Sequence, residues 1–166
     1  PVASAPIGAA AERVVPGGDN WPVFRGDPPL TGVADGRLPD RLVLAWRFQT
    51  QSDIVATPVI ADGCAYVSSL DQKLYAVDLR TGIEKWRFEA DDQLYASALY
   101  HDGTLYIGSD SGTFYAVDAE TGRLRWRFDE AAEIAGSANI GTGADGQTVV
   151  VFGSYDNNLY ALNAAD

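Results

Sequence analysis

The chain of 166 residues contains no methionine, one cysteine and one histidine. Cys64 alone cannot build a disulfide framework inside the chain or a multi-cysteine metal site. His101 alone excludes a two-histidine metal centre. No basic run interrupts a formal net charge of -11, so no nucleic-acid partner is expected. An anionic lipid surface is disfavoured by the same charge. The expected partners are neutral or basic protein surfaces. No apolar run approaches the ~20 residues that cross a bilayer as a helix, so no direct membrane insertion is expected. No segment keeps a helical hydrophobic period over a useful length. The chain opens at Pro1 rather than methionine, as expected of a processed product or a piece of a longer chain.

What the sequence has is recurrence. Trp46, Trp86 and Trp126 are each separated by 40 residues. Leu74-Tyr75-Ala76-Val77-Asp78 returns as Phe114-Tyr115-Ala116-Val117-Asp118, and after an interval of 45 as Leu159-Tyr160-Ala161-Leu162-Asn163. Thr81-Gly82 returns as Thr121-Gly122, and Trp-Arg-Phe occurs at 46–48, 86–88 and 126–128. A period of this length means copies of one supersecondary unit.

Each unit divides into four short strands. In the first they are 56–61, 64–68, 73–79 and 84–88, separated by turns at Asp62-Gly63, Asp71-Gln72 and Arg80-Thr81-Gly82. In the second they are 96–100, 104–108, 113–119 and 124–128. Short alternating strands with Asp and Gly turns at regular spacing predict an all-β fold. In the third unit, 135–166, the first hairpin is enlarged to 141–147, which accounts for the longer interval. The sequence ends there before the expected Thr-Gly and Trp. Residues 44–49 read as an orphan outer strand ahead of blade 1 (56–88) and blade 2 (96–128). Residues 1–20 read as a flexible leader, and 21–43 as a segment packing on the repeat body through Trp21 and Phe24.

A four-stranded antiparallel unit of ~40 residues is a propeller blade. The recurring pattern is Ala-x-Asp-x-x-x-Gly-x-x-x-Trp: Ala76, Asp78, Gly82 and Trp86, then Ala116, Asp118, Gly122 and Trp126. It begins again at Ala161 with Asn163 in place of the acid. This resembles the tryptophan-docking motif of the quinoprotein-type (PQQ-like) β-propellers. The leader sequence from Trp21 to Asp27 is similar to the segment often preceding their first blade in secreted bacterial members. The resemblance spans residues 21–166. An indole can lie on the backbone of the neighbouring blade while its N–H finds a carbonyl. Asp accepts hydrogen bonds from turn amides. Adhesion between blades is therefore the expected role of Trp46, Trp86 and Trp126, rather than stacking on a cofactor.

The resemblance implies two functional classes. One is a non-catalytic scaffold or accessory subunit of an extracytoplasmic, membrane-associated complex, like the propeller lipoprotein of the outer-membrane β-barrel assembly machinery. The other is a fragment of a dehydrogenase holding pyrroloquinoline quinone (PQQ) and calcium on the propeller axis. Such a site needs a catalytic carboxylate, oxygen ligands for a hard cation and a cation over the quinone, and many such enzymes add a disulfide of adjacent cysteines. One cysteine cannot supply that disulfide. Asp78 and Asp118 recur with the blade, which points to turn structure. Cys64 reads as a small buried residue and His101 as a loop residue. No catalytic, cofactor-binding or metal residue is assigned, and no cofactor is expected. Trp21, Phe24, Thr142 and Asp145 are the candidate contacts with a protein partner. That partner is expected to be another protein, the remaining blades of a longer propeller, or a second copy closing a six-bladed ring.

Overall fold

The computed structural model describes residues 20–22 and 40–165. These contain eleven strands: β1 (Val59–Ala61), β2 (Cys64–Ser69), β3 (Lys73–Asp78), β4 (Glu84–Glu89), β5 (Leu99–His101), β6 (Thr104–Gly108), β7 (Phe114–Asp118), β8 (Leu124–Phe128), β9 (Asn139–Thr142), β10 (Thr148–Gly153) and β11 (Leu159–Asn163). They form antiparallel sheets in the orders β1-β2-β3-β4, β5-β6-β7-β8 and β11-β10-β9. No helix occurs among the described residues. The architecture is a partial β-propeller, with two four-stranded blades and a third of three strands.

The turns explain the meander. Asp62 and Gly63 both have positive φ, 49° and 72°, the backbone of a two-residue hairpin whose twist matches its flanking strands. Asp102-Gly103 repeats it at 44° and 70°. In the third blade the loop is bridged by Gly143 N–H donating to the Gln147 carbonyl at 2.8 Å. Gly141 and Thr142, expected in that loop, instead extend β9 and pair with Val149 and Thr148.

The first strand of each full blade is shorter than the sequence suggests. Pro58 has no N–H for a ladder, and the Thr57 amide donates to Ser97 Oγ of the next blade at 2.9 Å. The Ala96 carbonyl likewise accepts Ser68 Oγ at 2.7 Å. Backbone groups that would lengthen these strands are thus spent between blades.

The core lies in the seams. One apolar cluster joins Val59, Leu74 and Tyr66 of blade 1 to Leu94, Leu105, Ile107 and Tyr115. A second joins Phe114, Tyr106 and Leu99 of blade 2 to Ile134, Val150 and Phe152. Residues 44–49 pair with no strand among those described.

Candidate functional site

The chemistry-bearing residues of the repeat gather at the seams. Trp86 Nε1 donates to the Ala119 carbonyl of blade 2 at 3.1 Å. Its ring covers Gly122, where a Cβ would come within 2.7 Å of the indole. Trp46 has the same relation to blade 1. Its Nε1 donates to the Leu79 carbonyl at 2.9 Å, and a Cβ on Gly82 would approach its Cγ to 2.7 Å. Trp126 Nε1 donates to Ala164 O at 3.4 Å. Residues 44–49 thus lie against blade 1 as β4 lies against blade 2.

A second aromatic follows each indole by two residues. Phe48 packs edge-on against Tyr75 at 5.3 Å and Phe88 against Tyr115 at 5.1 Å, while Phe128 packs tilted against Tyr160 at 5.3 Å. Two tyrosines that the sequence motif does not include share the carbonyls taken by the indoles. Tyr66 Oη donates to Ala119 O at 3.2 Å and Tyr106 Oη to Ala164 O at 2.9 Å. Their 40-residue separation is the signal that could have found them.

Within each blade, Ala76 and Ala116 stand opposite Trp86 and Trp126 in the ladder. Asp78 Oδ1 accepts both Thr81 N at 2.8 Å and Thr81 Oγ1 at 2.7 Å. Asp118 does the same with Thr121 and also holds Arg125 Nη2 at 2.8 Å. Hydrogen bonding to Thr81 lowers Asp78 from its ordinary value. Arg125 and then Thr121 hold Asp118 at about 2. Asp91 is also held at about 2: burial pushes it up, but hydrogen bonding with Thr113, Tyr115, Ser109 and Ser111 outweighs burial. All three carboxylates are committed to turns and seams, a role for ionised acceptors rather than for a proton donor.

The described candidate partner contacts lie on different blades. Trp21 is half-buried and bridges the free edge of β1, with Trp21 N–H donating to Ile60 O at 2.6 Å and Ile60 N–H to Trp21 O at 2.9 Å. The Pro22 carbonyl accepts the Tyr100 amide of β5 at 2.7 Å. Thr142 ends β9 and is exposed; Asp145 is exposed and caps the Gln147 amide at 3.0 Å. Phe24 lies outside the described residues. His101 ends β5 beside its hairpin turn, and Cys64 is buried at the start of β2.

The sequence matches the family described as outer membrane protein assembly factor BamB over residues 43–99 and 91–166. The chain belongs to this family of PQQ-like β-propeller repeats. No curated protein matches it significantly. Among solved structures it is similar to a quinohemoprotein alcohol dehydrogenase from Comamonas testosteroni, at 24% identity and a TM-score of 0.69, covering 88% of this chain and 26% of that one. A quinohemoprotein alcohol dehydrogenase from Pseudomonas putida HK5 gives 20% and 0.67, covering 88% and 25%. BamB from Moraxella catarrhalis gives 23% and 0.60, covering 73% and 38%. The PQQ-like chain therefore spans roughly a quarter to two-fifths of these proteins, and the likenesses establish its fold.

The donor set offers PQQ and calcium little. Among the described residues no group of three His, Cys, Asp or Glu side chains could hold a metal ion. The periodic indoles spend their N–H groups on backbone carbonyls across the seams. The described residues show no donor set for the calcium that the resemblance to the dehydrogenases implies.

Proposed function

We propose that this PQQ-like propeller segment is a non-catalytic scaffold, an extracytoplasmic interaction module or accessory subunit of a larger, membrane-associated complex. Its motif residues Trp46, Trp86 and Trp126, with Gly82 and Gly122, serve as blade-to-blade docking points. One observation carries this reading. Leu74, Phe114 and Leu159 hold the same repeat position and face the following blade, yet their exposures are 0%, 0% and 76%. On the opposite face, Leu94 and Ile134 are at 0% and 1%, whereas Ile54 is at 43%. The described array thus leaves apolar residues exposed at both ends, at repeat positions that it buries internally. Such exposure calls for covering, by further blades or by a second copy. The broad rims carry the loops, including 143–147, where recognition is expected.

The family's membership in assembly factors supports the scaffold. The likeness to two quinohemoprotein alcohol dehydrogenases supports the second reading, a piece of a PQQ-dependent enzyme. Incubation with PQQ and calcium, followed by gel filtration, separates the two. The scaffold reading predicts no chromophore eluting with the protein and no dye reduction on adding alcohol. A stoichiometric bound chromophore overturns it. Replacing residues 143–147 with a two-residue Asp-Gly turn is expected to change the Tm by no more than a few degrees, because its described backbone bonds are internal. A large loss measured by thermal unfolding would make the loop structural and remove it as a contact surface.

A further inference from the structure

The chain contains two lysines, Lys73 and Lys85, and a single cysteine. One of these lysines lies on that cysteine: Lys85 Nζ is 3.2 Å from Cys64 Sγ. The ladder explains the meeting. Ala76 faces Trp86 and Val77 faces Glu84, so Lys85 is the extra residue of a bulge in β4. A bulge re-aims a side chain, and this one reaches across β3 to the first residue of β2.

Blade 2 builds the same encounter from different residues. Ala116 faces Trp126 and Val117 faces Leu124, which makes Arg125 the bulged residue. Arg125 Nη1 meets Thr104 Oγ1, at the first residue of β6, at 2.6 Å. The blade register therefore brings the two side chains together, and the residue types decide the chemistry. Thr104 and Arg125 offer a hydroxyl and a guanidinium, which do not couple. Cys64 and Lys85 offer a thiol and an ammonium, whose sulfur and, once the ammonium has lost a proton, nitrogen can each be oxidised at the heteroatom. Arg125 is also neutralised by Asp118, whereas Lys85 makes no ion pair among the described residues. Cys64 and Lys85 line a cleft of about 300 Å³ with Asp62, Tyr66, Tyr100 and Glu120, ample for a diatomic oxidant.

We propose that Cys64 and Lys85 are a covalent modification site, in which dioxygen joins them through a single oxygen atom as a Sγ–O–Nζ bridge. The thiol, the ammonium and one dioxygen give the bridge, one water and one proton. The S–H bond, two N–H bonds and the O=O bond break; S–O and O–N bonds form. Sulfur and nitrogen are each oxidised by one electron pair, and both oxygen atoms are reduced. One oxygen stays in the bridge and the other leaves as water. The link staples β2 to β4 across β3, next to Trp86, and so fixes the outer strand that holds the seam with blade 2.

The test is intact-mass spectrometry and tryptic mapping of the full chain after exposure to oxygen. The expected mass gain is one oxygen less two hydrogens, with loss of titratable thiol and loss of trypsin cleavage after Lys85. Excess dithiothreitol should restore all three. The double variant Cys64→Thr/Lys85→Arg installs the pair already accommodated in blade 2. It should keep the parental Tm under reducing conditions and show no mass change in oxygen. Oxygen added to Cys64 alone, a Cys64 disulfide between two chains, a direct S–N bond, or an unchanged mass with Lys85 still cleaved would each overturn the proposal.

Discussion

Gly122→Ala is expected to destabilise the chain by about 2–4 kcal/mol. Gly122 has a φ of 71° and sits under the Trp86 ring, where a Cβ would lie 2.7 Å from Cδ2 and Cε3. The indole is tethered in that position. Its N–H is bound to Ala119 O, and its ring packs on Tyr66 at 5.9 Å. Gly63→Ala is the matched control. Gly63 has nearly the same φ, 72°, but nothing lies within 4 Å of its Cβ position. Its substitution measures the conformational term alone, about 1–2 kcal/mol. Denaturant unfolding of the two variants should therefore differ by at least about 1 kcal/mol, the part that belongs to the seam. Equal losses would mean that the ring gives way freely.

Phe114→Ala is expected to cost about 3–5 kcal/mol, the range for removing a buried aromatic side chain. Phe114 is fully buried and stacks on Phe152 across the second seam, with centroids 4.0 Å apart and an interplanar angle of 10°. The void would open between blades, where the backbone ladders cannot close over it. Leu159 occupies the same repeat position in blade 3 but is exposed, so Leu159→Ala should fall within about 0.5 kcal/mol of the parent. The contrast is read by thermal unfolding. Comparable losses at both positions would show that the end face is covered in solution.

Much of this architecture is legible in the residues because propeller repeats write it in side chains. The recurrence of Trp46, Trp86 and Trp126 identifies the blade, Asp62-Gly63 and Asp102-Gly103 place the hairpins, and Asp78 and Asp118 mark the turns they hold. The partners of the indoles are less legible, because they are the carbonyls of Leu79, Ala119 and Ala164, and a carbonyl has no residue type. The bulges at Lys85 and Arg125 follow from ladder register, which emerges only when strands pair. Without the bulge, nothing places Cys64 beside a lysine 21 positions away. The late strand starts at Val59 and Leu99 reflect hydrogen bonds made by Thr57 and Ala96 to the neighbouring blade, a long-range competition that local alternation does not register. The expectation for Trp21 rested on its aromatic ring and did not reach its use of backbone along the free edge of β1.

The central claim is that a periodic indole seals one blade onto the glycine turn of the next. A double-mutant cycle on Trp86→Phe and Gly122→Ala tests it most directly, with unfolding free energies of the parent, both single variants and the double variant. If the ring is seated on that turn, each change removes much of what the other would, and the two losses should fall short of additivity by about 1 kcal/mol or more. Losses that sum to within about 0.3–0.5 kcal/mol would mean that Trp86 and Gly122 act independently, and the account of the seam would be wrong.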